Sequence, residues 1–131
     1  MTVEDLRARA VEASKLAYVP YSNVKIGAAI EDQRGLIFAG CNVENPSYSL
    51  SICAERNALF SGVAAGSSKF TRIYIFSEDA WAIPCGACRQ VLSEFNLDME
   101  VFVERGKRVE KFILRDLLPG PFILENKVKK I

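Results

Sequence analysis

Cys53-Ala54-Glu55-Arg56 opens a segment, 53–65, that is rich in Ala and Leu and ends at Gly66. This pattern predicts a helix, because the apolar residues continue past its polar start and a glycine commonly ends a helix. The segment is almost entirely small or apolar beyond its first turn, so we expect this helix to be buried on all sides. A second stretch, Pro84-Cys85-Gly86-Ala87-Cys88-Arg89-Gln90, opens another predicted helix over 86–95. Both cysteine-containing stretches therefore lie at predicted helix N-termini.

The elements around these two helices predict an α/β layered fold. Thr2-Val3-Glu4-Asp5 reads as a capping box, which starts a helix over 3–18 that Pro20 stops. Residues 42–51 are polar and rich in turn formers, which predicts a loop. Alternating or apolar runs predict strands over 24–31, 36–41, 73–76, 100–104 and 108–112, and a short helix is expected over 114–118. We therefore expect a mixed sheet of about five strands covered by helices.

Composition sets the class of the protein. The chain has 131 residues, 50% of them hydrophobic and 25% charged, which indicates one globular domain over 1–131. The formal net charge is +1, and the basic run at 126–130 is a short tail that we expect to be solvated, so a nucleic-acid partner is not expected. No apolar run is long enough for a membrane span, and the first ten residues lack a secretory pattern. We expect a cytoplasmic protein without a membrane partner.

The chain contains no histidine and four cysteines. Catalysis by a histidine base and every histidine-ligated metal site are therefore excluded. The C-x-x-C spacing of Cys85 and Cys88 allows two thiolates to bind one zinc ion, and Cys53 would supply the third. Three protein ligands leave one position for water, which is the arrangement of a catalytic site. We expect the fourth cysteine, Cys41, to be a small buried hydrophobe.

Three further side chains belong to this predicted metal site. Arg56 follows Cys53 by three positions and Arg89 follows Cys85 by four, so each guanidinium can reach back over the helix face that carries its cysteine. We expect both arginines to withdraw negative charge from sulfur. Glu55 lies between Cys53 and the rest of the helix, where it can sit beside the metal without binding it. An anionic site raises the proton affinity of a neighbouring carboxyl, which suits a proton shuttle.

In combination these motifs resemble those of the small, homotetrameric, zinc-dependent cytidine deaminases. The similarity extends from Tyr18-Val19-Pro20-Tyr21-Ser22 through Gly27-Ala28-Ala29, Gly40-Cys41-Asn42-Val43-Glu44-Asn45 and Tyr48-Ser49 to Leu117-Leu118-Pro119. The resemblance implies the three-layer α/β/α fold of that family with a mixed five-stranded sheet. It also implies one Zn²⁺ per chain, a nucleoside substrate and a homotetramer.

The resemblance further implies a reaction and roles for site residues. Cytidine and 2′-deoxycytidine would be converted to uridine and 2′-deoxyuridine with release of ammonia, a step of pyrimidine salvage. Zinc lowers the pKa of its bound water, and Glu55 would carry protons from that water to N3 of cytosine and then to the leaving amine. Asn42 and Glu44 match the ribose-binding pair, and that carboxylate would repel a 5′-phosphate. The remaining expected substrate-binding residues are Val24, Ala54, Tyr48 and Phe122, the last inserted from a neighbouring subunit.

Several alternatives stay open from the sequence. Val24 stands where the family usually has an aromatic residue against the pyrimidine, and Ile83 stands where a small polar residue is common, so a related nucleoside such as blasticidin S is an alternative substrate. A zinc-stapled module closed by Cys41, or a thiol redox protein that uses Cys85 and Cys88, is an alternative of another class. Editing of a polynucleotide is disfavoured because the chain lacks an aromatic and basic stripe.

Overall fold

The computed structural model of this protein describes residues 2–124. Five strands and four α-helices follow one another in this part of the chain, with a short 3₁₀ helix over Tyr48–Leu50. The helices are α1 (Val3–Ser14), α2 (Ala54–Ala64), α3 (Gly86–Ser93) and α4 (Leu114–Leu117). The strands are β1 (Gly27–Asp32), β2 (Ile37–Cys41), β3 (Phe70–Phe76), β4 (Glu100–Arg105) and β5 (Arg108–Ile113). The basic tail at 126–130 lies outside the described residues.

The five strands form one mixed sheet in the order β2-β1-β3-β4-β5. Strand β1 pairs antiparallel with both β2 and β3, β3 pairs parallel with β4, and β4 pairs antiparallel with β5. The parallel step is the one that needs a crossover, and the chain makes it through α3. The predicted mixed five-stranded sheet is confirmed.

Two apolar cores, one on each face of the sheet, make the fold three-layered. On one face, α1 packs through Leu6 and Ala10 against Tyr74 and Phe102. The opposite face carries the larger core, in which α2 and α3 cover the alternate side chains of β1, β3 and β4. Its members include Ile30, Ala54, Ala58, Leu59, Ile73, Ile75, Leu92, Val101 and Val103. This α/β/α layering confirms the predicted fold class.

Two glycines let the flanking helices approach the sheet closely. A Cβ atom at Gly27 would lie 2.0 Å from the carbonyl oxygen of Ala10 on α1. A Cβ atom at Gly40 would lie 2.4 Å from the backbone nitrogen of Ala58 on α2. Real Cβ contacts are not that short, so neither position accepts a side chain without movement of a helix. The second approach fixes the start of α2, and with it Cys53, over the end of β2.

The bounds of some predicted elements differ from the structure. The first helix is capped as expected, because Thr2 Oγ1 accepts a hydrogen bond from the N–H of Asp5 (3.2 Å). It ends at Ser14 rather than 18, and Tyr18 then pairs with residues 42–44 as extended chain. Strand β1 begins at Gly27 rather than 24, because the backbone of 24–26 hydrogen-bonds instead to the Asn42 side chain.

Helix α2 is not buried on all sides as the sequence predicted. One face packs in the core through Ala54, Ala58 and Leu59. On the opposite face, Phe60 is 47% exposed and Val63 is 43% exposed. The prediction was wrong because an apolar composition does not by itself state which neighbours cover a helix. Among the described residues, no helix is both long and apolar enough to cross a membrane.

Candidate active site

The N-termini of α2 and α3 meet and bring three cysteine sulfurs together. Cys53 is the N-cap residue of α2, Cys85 is the N-cap residue of α3, and Cys88 lies in the first turn of α3. The Sγ atoms of Cys53 and Cys85 are 3.8 Å apart, and those of Cys85 and Cys88 are 3.5 Å apart. Free N–H groups and the helix dipole at each N-terminus favour the thiolate form of these side chains.

The sulfur positions fit a tetrahedral zinc ion. A Zn–S distance of about 2.3 Å places the sulfurs of a tetrahedral site roughly 3.8 Å apart. All three Sγ atoms lie within 4.8 Å of one another. Within residues 2–124 this is the only group of three or more cysteine, aspartate or glutamate side chains positioned to hold a metal ion. The fourth cysteine, Cys41, is not a member, so the structure gives no support to a site closed by that residue.

The electrostatics of the three thiols also favour a bound cation. Contact with Cys88, followed by Arg56 and Cys85, lowers the pKa of Cys53 to about 5. The same proximity to Cys53, together with burial, raises the pKa of Cys88 well above that of an ordinary thiol. One thiol therefore ionises readily while its neighbour resists a second negative charge. A metal cation compensates that charge and allows both Cys53 and Cys88 to ionise.

Arg56 reaches the sulfur cluster, as the sequence predicts. Its Nη2 atom donates a hydrogen bond to the Sγ atom of Cys53 (3.5 Å). Its Nε atom is buried without a hydrogen-bond partner among the described residues. The guanidinium is therefore held beside the thiolates and away from solvent. In this position it offsets the negative charge of the thiolates.

Arg89 does not contact sulfur, contrary to the prediction. Its Nε atom donates to the carbonyl of Pro84 (2.7 Å), and its Nη1 atom donates to the carbonyl of Leu117 (2.8 Å). The spacing along α3 allowed Arg89 to reach Cys85, but two backbone carbonyls offer better acceptors than a thiol. This side chain braces the segment that carries Cys85 against the end of α4.

Glu55 lies beside the cluster in the first turn of α2. It is only 4% exposed, and burial raises the pKa of its carboxyl to about 7. The nearby Cys53 thiolate also raises this pKa. A carboxyl with a pKa near neutrality can both accept and release a proton at physiological pH.

A cavity of about 330 Å³ joins the cluster to the loop after β2. Its lining includes Cys53, Cys85 and Glu55, which we call the metal end, and Asn42 and Glu44, which follow β2. The rest of the lining is mostly apolar, and it includes residues to which the sequence assigned no firm role: Ile26, Ser51, Ile52, Ala80, Trp81, Ala82 and Ile83. Its size and its apolar walls with few polar groups are typical of small-molecule sites.

Backbone pairing explains why Asn42 and Glu44 reach this cavity. Val43, between them, exchanges two backbone hydrogen bonds with Ile52 (both 3.0 Å), the residue before Cys53. The N–H of Glu44 also donates to the carbonyl of Tyr18 (2.9 Å). The side chains of Asn42 and Glu44, on either side of Val43, therefore lie on the same side of this segment and line the cavity.

Four other predicted substrate-binding residues do not line this cavity. Ala54 is fully buried in the larger core. Val24 contributes its carbonyl to Asn42, and Ile26 occupies the cavity wall instead. Tyr48 is 76% exposed and lines a neighbouring cavity with Tyr21, Ser22, Glu44 and Ser51. Phe122 is 72% exposed, and Gln90 holds its backbone through two hydrogen bonds (3.0 and 3.1 Å).

Comparison with known proteins agrees with this geometry. Residues 1–104 match the family model of the cytidine and deoxycytidylate deaminase zinc-binding region. The chain belongs to this family. The cytidine deaminase of Sporosarcina psychrophila is 42% identical over 129 residues, which cover 96% of this chain and 95% of that protein. The resemblance drawn from the motifs is thereby confirmed.

Solved structures of the deaminase family share the fold. The crystal structure of cytidine deaminase from Burkholderia pseudomallei superposes with a TM-score of 0.88 at 45% identity, covering 93% of this chain and all of that one. A more distant relative, the blasticidin-S deaminase of Bacillus cereus, is 27% identical over 126 residues, which cover 88% of this chain and 90% of that protein. The predicted zinc is consistent with both the family description and the sulfur cluster.

Proposed function

We propose that this deaminase converts cytidine and 2′-deoxycytidine to uridine and 2′-deoxyuridine with release of ammonia, as a step of pyrimidine salvage in the cytoplasm. Membership of the cytidine deaminase family supports cytidine as the substrate. One observation carries the proposal for the site: Cys53 and Cys85 of the sulfur cluster and the buried carboxyl of Glu55 line the same cavity as Asn42 and Glu44.

Cys53, Cys85 and Cys88 would hold one zinc ion, which supplies a water acidified to near-neutral pKa. Glu55 would accept one proton from a water molecule and deliver it to N3 of cytosine while the water oxygen bonds to C4. Glu55 would then take the proton of the new C4 hydroxyl and pass it to the exocyclic amine, so that the bond from C4 to nitrogen breaks, ammonia leaves and the C4 carbonyl forms. Its burial keeps the transferred proton out of bulk solvent, and Arg56 limits the negative charge of the thiolates beside it.

Asn42 and Glu44 would hold the sugar, and we call their part of the cavity lining the sugar end. An amide can both donate hydrogen bonds to sugar hydroxyls and accept them, and a carboxylate can accept them. The ionised Glu44 repels a 5′-phosphate, which favours a nucleoside over a nucleotide. Ile26 and Ile83 add apolar surface to the lining of the same cavity, which would suit the face of the pyrimidine.

We also propose that the enzyme is a homotetramer in which Phe122 enters the site of a neighbouring subunit. Phe122, Ile123 and Leu124 are consecutive large apolar residues that are all mostly exposed, and Phe60 and Val63 expose the outer face of α2. Such surfaces mark protein contacts. Tyr48 would lie at the same interface. Light scattering of the purified enzyme measures the subunit number, and a monomer that retains full activity would contradict this part of the proposal.

A spectrophotometric assay against a nucleoside panel tests the activity. Cytidine and 2′-deoxycytidine should lose absorbance as the amine is released, and a chelator that removes zinc should stop the reaction. Readdition of zinc should restore it. Turnover that is unaffected by metal removal would contradict the proposed chemistry.

The related blasticidin-S deaminase and the aliphatic Val24 favour one alternative substrate. A comparison of kcat/KM for cytidine and blasticidin S decides between the two. The loop that carries Asn42 and Glu44 supports the ribose substrate, so we expect cytidine to be the better one.

A further inference from the structure

Segment 21–26 runs beside the cavity and is tied to Glu44 by three hydrogen bonds. Oε1 of Glu44 accepts from the backbone N–H groups of Tyr21 (3.0 Å) and Ser22 (3.1 Å). Oε2 of Glu44 accepts from the hydroxyl of Ser22. These donors precede Glu44 by more than 20 positions, so folding brings them to the carboxylate.

These hydrogen bonds leave the Glu44 carboxylate able to accept few others. A carboxylate accepts about four hydrogen bonds, two on each oxygen. Oε1 is filled by the two backbone donors, and Oε2 has one of its places taken by Ser22. One acceptor place remains, on Oε2. Since Glu44 lines the cavity, that place is available to a hydroxyl of the bound sugar.

The side-chain amide of Asn42 is also partly occupied by hydrogen bonds within the protein. Its Oδ1 atom accepts from the N–H of Ile26 (2.9 Å), and its Nδ2 atom donates to the carbonyl of Val24 (2.8 Å). A side-chain amide has two donors and two acceptor places, so one of each remains. A single sugar hydroxyl can therefore donate a hydrogen bond to Glu44 and accept one from Asn42. Nearly all hydrogen-bonding groups of the two side chains would then have partners.

The hydroxyl of Ser22 connects the two halves of this arrangement. It accepts a hydrogen bond from the N–H of Val24 (3.1 Å) while it donates to Glu44. Asn23, between these residues, has a φ of 62°, a left-handed conformation that asparagine tolerates better than most residues. Through these two hydrogen bonds, Ser22 links the backbone of Val24 to the Glu44 carboxylate.

We infer that Ser22 is a positioning residue for sugar recognition, whose hydroxyl aims the one free acceptor place of Glu44 at a sugar hydroxyl of the nucleoside. This inference rests on the proposed function, because it takes the sugar end of the cavity as given. No part of it requires Ser22 to touch the substrate. Ser22 acts through Glu44, and its effect depends on whether the substrate has the hydroxyl that Glu44 binds.

Kinetics with two substrates test the inference. Wild type, Ser22→Ala and Ser22→Thr are assayed with cytidine and with 2′,3′-dideoxycytidine, which lacks both ring hydroxyls. Ser22→Ala should raise the KM for cytidine roughly 3- to 10-fold, the range of one hydrogen bond, with kcat changed less than about twofold. Its kcat/KM for the dideoxy substrate should stay within about twofold of wild type. Ser22→Thr keeps the hydroxyl and should restore the cytidine KM.

Two controls separate positioning from a general effect on the loop. Ser68→Ala removes an exposed serine hydroxyl outside the site and should leave both substrates unchanged. In a Glu44→Gln background, Ser22→Ala should add less than about twofold to the KM for cytidine, because the group that it aims has been altered. The inference would be overturned if Ser22→Ala lowered kcat/KM equally for both substrates. It would also be overturned if the KM increase of the double variant equalled the product of the two single increases. If wild type does not deaminate cytidine at all, the proposed function itself fails.

Discussion

The two ends of the cavity are built by different means. At the metal end, two helix N-termini place the cysteines and Glu55, and Cys88 and Glu55 are buried. At the proposed sugar end, loop residues are held by hydrogen bonds between side chains and backbone near the surface. We therefore expect the chemistry to depend on helix packing, and substrate preference to depend on hydrogen bonds that single substitutions change at small cost to the fold.

The largest expected effect lies at the metal end. Cys88→Ala should reduce bound zinc from about one ion per chain to near zero and abolish turnover, because two thiolates do not complete the site. Cys41→Ala is the matched variant and should keep zinc and activity, since that sulfur lies outside the cluster. Metal analysis of both proteins checks this expectation. Zinc loss from the Cys41 variant would show that the cluster has been assigned wrongly.

Glu55→Gln separates metal binding from proton transfer. The variant should keep its zinc, because the carboxyl is not a ligand, while kcat falls about 10²- to 10⁴-fold through loss of the proton shuttle. Zinc content and initial rates with cytidine are the measurements. A variant with near wild-type turnover would remove Glu55 from the mechanism.

Arg56 should have a smaller effect at the same end. Arg56→Ala removes the donor to Cys53 and should weaken zinc affinity or activity roughly 10- to 100-fold. Arg56→Lys keeps the positive charge and should lose less. Zinc release to a competing chelator, followed over time, compares the three proteins. Equal release rates would mean that Arg56 does not stabilise the thiolates.

The smallest expected effect concerns acidity at the sugar end. Hydrogen bonds from Ser22 and from the N–H groups of 21–22 lower the pKa of Glu44 below its ordinary value, so it stays ionised down to at least its usual titration range. Glu55, with a pKa of about 7, titrates between pH 8 and 5 in every variant that keeps it, whereas Glu44 does not. The KM for cytidine should therefore be higher in Glu44→Gln than in wild type by the same factor throughout pH 8 to about 5. A factor that shrinks as the pH falls from 8 to 6 would contradict an ionised Glu44.

The sequence indicated the contacts of the cysteine cluster but not those of Ser22 and Glu44, for a physical reason. Cys85 and Cys88 are one helical turn apart, and Glu55 is two residues from Cys53, so local spacing already fixes their relation. The contacts of Ser22 with Glu44 join distant segments, and no local pattern indicates them. Arg89 shows the same limit, because its spacing allowed a sulfur contact, but the fold supplied the carbonyls of Pro84 and Leu117.

The exposed face of α2 illustrates a second limit. The composition of 53–65 predicted burial, but Phe60 and Val63 lie on the outer surface of the single chain. Sequence patterning reports that a face is apolar and does not report whether the same chain or another copy covers it. Strand and helix types followed from periodicity, whereas the ends of α1 and β1 were set by hydrogen bonds to residues 42–44.

X-ray absorption at the zinc edge of the purified enzyme tests the central claim most directly. The account predicts three sulfur neighbours at about 2.3 Å and one lighter oxygen neighbour, the position left free for water. Four sulfur neighbours, or fewer than three, would contradict a catalytic site formed by Cys53, Cys85 and Cys88.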